Sequence, residues 1–285
     1  MSEMPLVVWI VFAGVLGLLV GSFLNVVILR LPLRMAASWE QEAREILQLG
    51  EEHEPLPPGI VREPSHCPQC KHALSVADNI PLLSWLLLGG QCRYCRANIS
   101  IQYPLVELLS GVLSAVIVWR LGPTWAALAG LGFTWCLIAL SGIDFRTQLL
   151  PDQITFPLLW LGLLLALLPL FVPAASAILG AALGYLSLWS VYWIFKLLTG
   201  KEGMGHGDFK LLAALGAWMG PVALLPIVLL SSLIGALVGV ALIVARKHDR
   251  DVPMPFGPFI AAAGWVWFVA GNNLLQGYMH MTGLR

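Results

Sequence analysis

Long apolar runs alternate with short polar breaks along almost the whole chain. Leu6 to Leu29 carries no charge and exceeds the roughly 20 residues a helix needs to cross a bilayer. Further runs lie at about 104–121, 124–143, 154–172, 174–198, 208–220, 222–245 and 256–276. Each predicts a helix, because a lone segment in hydrocarbon satisfies its backbone only by internal hydrogen bonding. The pattern therefore predicts an all-α polytopic membrane protein with about eight transmembrane helices. The expected divisions are a first transmembrane helix at 1–29, a polar, cytoplasmic domain at 30–103, and a transmembrane domain at 104–285. The leading five residues have no positive charge and the first apolar run is too long for a signal peptide.

The run at 208–220 is the weak one. Thirteen residues rise roughly 20 Å, short of the ~30 Å hydrocarbon core. A re-entrant hairpin there would invert every later segment and put Arg246, Lys247 and Arg250 outside. A true crossing is the better expectation, with the glycine-rich turn before it dipping into the membrane. Irregular backbone is tolerated at that depth only where it lines a cavity.

Charge fixes the orientation. Arg30 and Arg34 follow the first run, so by the positive-inside rule that run ends in the cytoplasm. The loops 144–153, 199–207 and 246–255 then fall on the same side as 30–103. Of the 16 lysines and arginines, only Arg120 and Arg285 lie outside on this assignment. Composition agrees with the pattern. The 285 residues are 58% hydrophobic and 11% charged, against about 25% charged in soluble domains. Net charge is zero, so no basic footprint for nucleic acid is present. No tandem repeat is evident.

Within 30–103, Ser38 to Leu49 has helix-forming composition, and Glu54 to Gly59 is a proline-rich breaker. Ile80 to Leu88 is too short to span and predicts a hairpin or a surface-lying segment. Cys67/Cys70 and Cys92/Cys95 form two Cys-x-x-Cys pairs with 21 residues between them, close to a zinc-ribbon spacing. In a reducing compartment these read as ligands rather than disulfides. Four thiolates close off a tetrahedral ion, so the zinc would be structural. His66 and His72 beside them read as solvated, and Cys136 as a small core residue. No His-Glu-x-x-His occurs, which argues against a zinc protease.

Two acids carry the candidate chemistry. Asp144 ends an inward-running apolar run, and Asp208 begins an outward-running one after Gly203-Met-Gly-His-Gly207. Ionisable groups at that depth are functional candidates by default. Paired carboxylates share one proton: the ionised member activates water and the protonated one polarises a scissile carbonyl. The plainer readings are an N-cap role for Asp208 and an interfacial pairing of Asp144 with Arg146. An ion-coupled transporter or channel is the alternative in a different class, although no paired halves are visible. A zinc scaffold without catalysis is a third. Glu107 reads equally as an interior acid or a snorkelling one. Lys196 and Lys210 read as snorkelling. The acidic stretch from Glu40 to Glu54 reads as a solvated helix face, or as a lure for a basic substrate segment. His206 stands in the glycine turn, where it could tune the pair.

The segments Asp144-Phe-Arg-Thr-Gln-Leu-Leu-Pro-Asp152 and Gly205-His-Gly-Asp208 resemble the two signatures of the type IV prepilin peptidases. Gly21 to Val27, the cysteine module, Tyr103 to Glu107 and Lys201 to Gly205 are similar to that family as well. The resemblance implies that Asp144 and Asp208 are the catalytic aspartates and that Asp152 is outside the pair. Its place after Pro151 suits a helix start. The resemblance also implies prepilin and pseudopilin substrates, cut after a glycine on the cytoplasmic side of a bacterial inner membrane. It implies N-methylation of the new terminus by S-adenosylmethionine, although no Gly-x-Gly-x-x-Gly follows a strand and no methyl-donor site is readable.

Overall fold

The computed structural model describes residues 4–49, 57–61, 63–75, 77–244 and 254–282, with the side chains of 243 and 272–282 excepted. Glu51, Glu52, Glu54, Arg62, Arg246, Lys247, Arg250 and Arg285, which enter the charge and breaker expectations, lie outside these residues. Among the described residues there are helices and isolated bridges but no strand. The helices are α1 (Leu6–Ile46), α2 (Leu83–Leu87), α3 (Gln102–Leu121), α4 (Trp125–Thr147), α5 (Asp152–Ala166), α6 (Ala174–Thr199), α7 (His206–Met219), α8 (Leu224–Val244) and α9 (Gly257–Thr282). Among the described residues, five stretches are long and apolar enough to cross a membrane: α1, α3, α4, α6 and Pro221–Leu242. The expected run at 154–172 is helical only as α5, which ends at Ala166.

Proline and glycine set the helix ends. Pro5, Pro151 and Pro173 stand immediately before α1, α5 and α6. Gly122, Gly200 and Gly220 follow α3, α6 and α7 at φ of 66°, 70° and 76°, where a Cβ would be strained.

The chain forms two compact units, Met1–Ala139 and Leu140–Arg285. In the first, α1 packs along α3 through small residues. A Cβ on Gly17 would lie 2.6 Å from the Ser110 carbonyl, and one on Gly21 would lie 2.7 Å from Glu107 Cα. Such close approach supplies the van der Waals contact that drives helix association where lipid removes the hydrophobic incentive. The helix α1 continues through Pro32 to Ile46, joining the first apolar run to the helix expected from Ser38. Arg30 and Arg34 have a second role there. Arg30 donates to the carbonyls of Gly59 (2.6 Å), Glu63 (3.0 Å) and Pro64 (3.1 Å), and Arg34 to that of Pro57 (2.8 Å). Two guanidinium groups thus hold a segment without regular structure against α1. The short α2 leaves Leu83, Leu86 and Leu87 exposed, in keeping with the surface-lying reading.

The second unit is built around α7. Every residue from Asp208 to Trp218 is buried except Lys210. It packs on α5, α6 and α9. Gly180 of α6 meets the Gly216 backbone directly, and a Cβ on Gly184 would lie 2.7 Å from the Leu212 carbonyl. Trp218 Nε1 donates to the Leu158 carbonyl at 2.8 Å, fastening α7 to α5. A helix of 14 residues rises only about 21 Å. Its sides face protein on α5, α6 and α9.

Candidate functional site

Asp144 and Asp208 both lie in the second unit, and both are buried at 5% and 7% exposure. Asp144 stands in the last turn of α4. Its Oδ2 accepts the backbone N–H of Gly257, the first residue of α9, at 3.0 Å. Asp208 stands in the first turn of α7 but does not cap it. The N-cap is Gly205, with no side-chain capping bond, so the N-cap reading of Asp208 does not hold.

Leu150 ties the two positions together. A Cβ on Gly207 would lie 2.7 Å from Leu150 Cβ, and one on Gly257 would lie 3.1 Å from Leu150 Cδ1. The same Gly257 Cβ would lie 2.7 Å from Asp144 Oδ2. One leucine side chain is therefore held between the glycine that precedes Asp208 and the glycine that binds Asp144. The two carboxylates are near enough for the charge on Asp144 to act on Asp208. None of Gly203, Gly205 and Gly207 has a positive φ, and Gly203 and Gly207 serve close packing rather than unusual dihedrals. Gly203 instead lies against the Phe195 ring.

The neighbouring charges have definite partners. Lys210 Nζ binds Asp152 through both carboxylate oxygens, at 2.7 and 2.9 Å, joining α7 to the start of α5. Lys196 Nζ binds Glu202 at 2.9 Å and the Tyr192 hydroxyl at 3.2 Å. The Lys196 ammonium beside Glu202 holds that carboxyl below its usual range. Both lysines thus do more than snorkel. His206 sits among aromatic rings, 5.0 Å from Tyr192 and 5.4 Å from Phe209 between centroids.

In the first unit, the ligand atoms of Cys67, Cys70, Cys92 and Cys95 lie within 4.8 Å of one another, an arrangement able to hold a metal ion. The two Cys-x-x-Cys pairs are copies of one turn, although no repeat is expected from the sequence. In each copy the first cysteine N–H donates to the carbonyl five residues on, that of His72 (3.0 Å) or Ala97 (2.8 Å). The residue after the second cysteine, Lys71 or Arg96, takes a φ of 57°. The bridges His66–Ala73 and Gln91–Asn98 close the two copies in the same way. The repeat is therefore Cys-x-x-Cys-(Lys/Arg), 25 residues apart, followed by Leu74-Ser75 in one copy and Ile99-Ser100 in the other. It is too short and too degenerate to stand out without its geometry. Backbone N–H groups of Cys70 and Gln69 hold the Cys67 thiol down to about 7 against the effect of burial. The Ala97 N–H acts to lower Cys95, yet burial and the neighbouring thiols push it up to about 11. Such clustered sulfurs ionise together only around a cation. His72 is exposed, as expected, and its ring stacks on Tyr94 at 3.6 Å between centroids. Across the module, Arg93 Nε meets Asp78 Oδ1 at 2.6 Å.

Glu107 is an interior acid, 7% exposed, and not a snorkelling one. It accepts the N–H of Leu82 at 2.8 Å, which fixes the turn before α2, where Leu82 has a φ of 61°. Asn25 of α1 donates to the Tyr103 carbonyl at 3.1 Å beside it.

Gly257 and Leu150 escape a sequence search for acids. Their signals are weak: a glycine flanked by Phe256 and Pro258 at the start of an apolar run, and a leucine between two acids of one motif.

Two buried aspartates brought to one leucine among apolar helices supply an acid and a base of the kind that hydrolysis uses. The family model of the Bacterial Peptidase A24 N-terminal domain matches residues 15–121, and that of the Type IV leader peptidase family matches residues 131–240. The chain belongs to the type IV leader peptidase family. Among its relatives, a protein of Xanthomonas campestris pv. campestris is 58% identical over 273 residues, covering 96% of this chain and 95% of the relative. One from Aeromonas hydrophila is 52% identical, covering 95% and 94%. One from Pseudomonas aeruginosa is 50% identical, also covering 95% of this chain and 93% of the relative. All three carry the name prepilin leader peptidase/N-methyltransferase. No solved structure matches the chain.

Proposed function

We propose that this protein is a multi-pass membrane endopeptidase that removes the leader peptides of type IV prepilins and pseudopilins and N-methylates the new terminus. Asp144 and Asp208 are its catalytic pair. The observation that carries the reading is the convergence of the two buried aspartates around Leu150, Gly207 and Gly257. The transporter alternative finds no support in the family to which the chain belongs.

The chemistry follows from two carboxylates with one proton between them. The ionised aspartate removes a proton from water as the water oxygen bonds to the scissile carbonyl carbon. The protonated aspartate donates to the carbonyl oxygen, so the tetrahedral intermediate is neutral. Its collapse breaks the C–N bond, and a proton passes to the leaving amine. The Gly257 N–H holds Asp144 Oδ2 in place throughout, and the surrounding apolar helices limit water to what the reaction needs. Cleavage after glycine, on the cytoplasmic face of a bacterial inner membrane, agrees with the arginine-rich inner ends of the apolar runs. Eight crossings, with α5, α7 and α9 among them, keep Asp144 and Asp208 on that same face.

The metal of the cysteine module is zinc. Tetrahedral Zn–S bonds of about 2.3 Å put sulfurs roughly 3.8 Å apart, and Cys67 Sγ lies 3.8 Å from Cys95 Sγ. Four thiolates leave no position for water, so this zinc organises residues 30–103 and takes no part in hydrolysis. The methyl donor is S-adenosylmethionine.

Purified protein incubated with a prepilin, with and without S-adenosylmethionine, tests the whole proposal. The expected products are a shortened pilin in both tubes and a methylated amine only with the donor. An uncut prepilin would refute the peptidase reading, and a cut but unmethylated one would refute the second activity.

A further inference from the structure

A cavity of about 390 Å³ opens in the second unit between the glycine turn, α8 and the start of α9. Its walls are apolar: Met204, Gly235, Ala236, Met254, Phe256 and Phe259. Its position is set by chain connectivity. Met204 is one residue before Gly205, the N-cap of the helix that carries Asp208. Phe256 is one residue before Gly257, whose N–H binds Asp144. Consecutive Cα atoms are about 3.8 Å apart. Two wall residues are thus next in sequence to glycines that lie by the aspartates: Gly205, where a Cβ would lie 4.0 Å from Asp208 Oδ2, and Gly257, whose N–H binds Asp144.

The floor is kept open by small residues. A Cβ on Gly235 would meet nothing closer than Phe259 Cδ2 at 3.4 Å, so the glycine is not forced by backbone crowding. A side chain there would be directed against the Phe259 and Phe256 rings of the cavity wall. The mouth is bordered by Ser232 and Ala236, both exposed on α8. Leu229, Leu233 and Leu237 are exposed on the same helix, which makes this side lipid-facing. An apolar segment lying in the bilayer can enter the cavity laterally, without leaving hydrocarbon.

We propose that this cavity is the subsite for the apolar side chain of the substrate residue that follows the scissile bond. The inference rests on the peptidase reading above. On that reading the residue before the cut is glycine, which has no side chain to offer. An apolar pocket walled by the neighbours of those two glycines is then filled from the other flank. Gly235 and Met254 set its depth, and they determine which residue is accepted there.

The test uses purified full-length protein and two prepilin substrates that differ only in the residue after the cut, phenylalanine or alanine. Gly235→Leu fills the floor. It is expected to lower kcat/KM for the phenylalanine substrate by on the order of tenfold or more, chiefly through KM, while the alanine substrate changes little. Met254→Ala deepens the pocket and shifts preference toward a still larger residue such as tryptophan. Cleavage of the alanine substrate shows that each variant is folded. Equal losses on both substrates, or no loss on either, as when lipid alone occupies the cavity, would overturn the subsite. Asp144→Asn run beside them separates the two levels. If that variant still cleaves, the catalytic pair is wrong, whatever the pocket does.

Discussion

The backbone N–H of Gly257 donates to Asp144 Oδ2 at 3.0 Å across 113 positions of the chain. A helix start thereby orients a carboxylate at the end of another helix, and no side chain at position 257 is compatible with the same approach. A Cβ there would lie 2.7 Å from the same oxygen.

Gly257→Ala is accordingly expected to push the Asp144 carboxylate out of line. Displacements of about 1 Å at a reacting group cost up to ~100-fold in rate. A fall of at least tenfold in kcat is expected, with Gly132→Ala as the comparison. Nothing lies within 4 Å of a Cβ at Gly132, so that variant keeps its rate. Equal rates for the two variants would show that the glycine contact does not position Asp144.

Asp144→Asn and Asp208→Asn each remove the shared proton or its acceptor. Both variants are expected to insert normally and to lose about 10²- to 10⁴-fold or more in cleavage, the range for a positioned acid or base. The wild-type rate is expected to be bell-shaped in pH. In acid the pair gains a second proton and loses its base; in alkali it loses the proton that polarises the carbonyl. A prepilin processing assay across pH reads both. Near-native cleavage by either variant would dismiss the pair.

Asp152 has a different expected behaviour despite sharing a motif with Asp144. Its carboxylate is bound by Lys210, and both side chains are partly exposed. Asp152→Asn is expected to cost only about 0–1 kcal/mol of stability, as for other surface pairs, with kcat/KM little changed. A loss as deep as that of Asp144→Asn would place Asp152 in the chemistry.

The cysteine module is expected to carry one zinc per chain by elemental analysis of purified protein. Cys92→Ser should lower the bound metal, while Cys136→Ser, remote in α4, should leave it unchanged. Release in acid is expected because each thiolate must take up a proton to leave the ion. Metal-free protein that retains the full thermal stability of the holo form would end the structural role.

Much of this was legible without coordinates. Helix placement followed from runs of apolar residues, because the backbone in lipid has no partner but itself. Asp144 and Asp208 were conspicuous because acids at the ends of such runs are rare, and the four cysteines because their spacing is regular. The burial of α7 was not legible. Its 14 residues look too few to cross, and only its packing between α5, α6 and α9 shows that it is enclosed by protein. The duplicated cysteine turn was also hidden, since its signature is a φ of 57° at Lys71 and Arg96 rather than a string of shared residues.

The sequence by itself determined an all-helical membrane chain, its family and the identity of the acids and thiols, because hydropathy and charge are local properties that each segment carries alone. Tertiary structure decided which groups meet: Leu150 between Gly207 and Gly257, the N–H on Asp144, Lys210 on Asp152, and the cavity over Gly235. Those contacts join residues up to 113 positions apart. They depend on glycines whose missing side chains are informative only once it is known what lies against them.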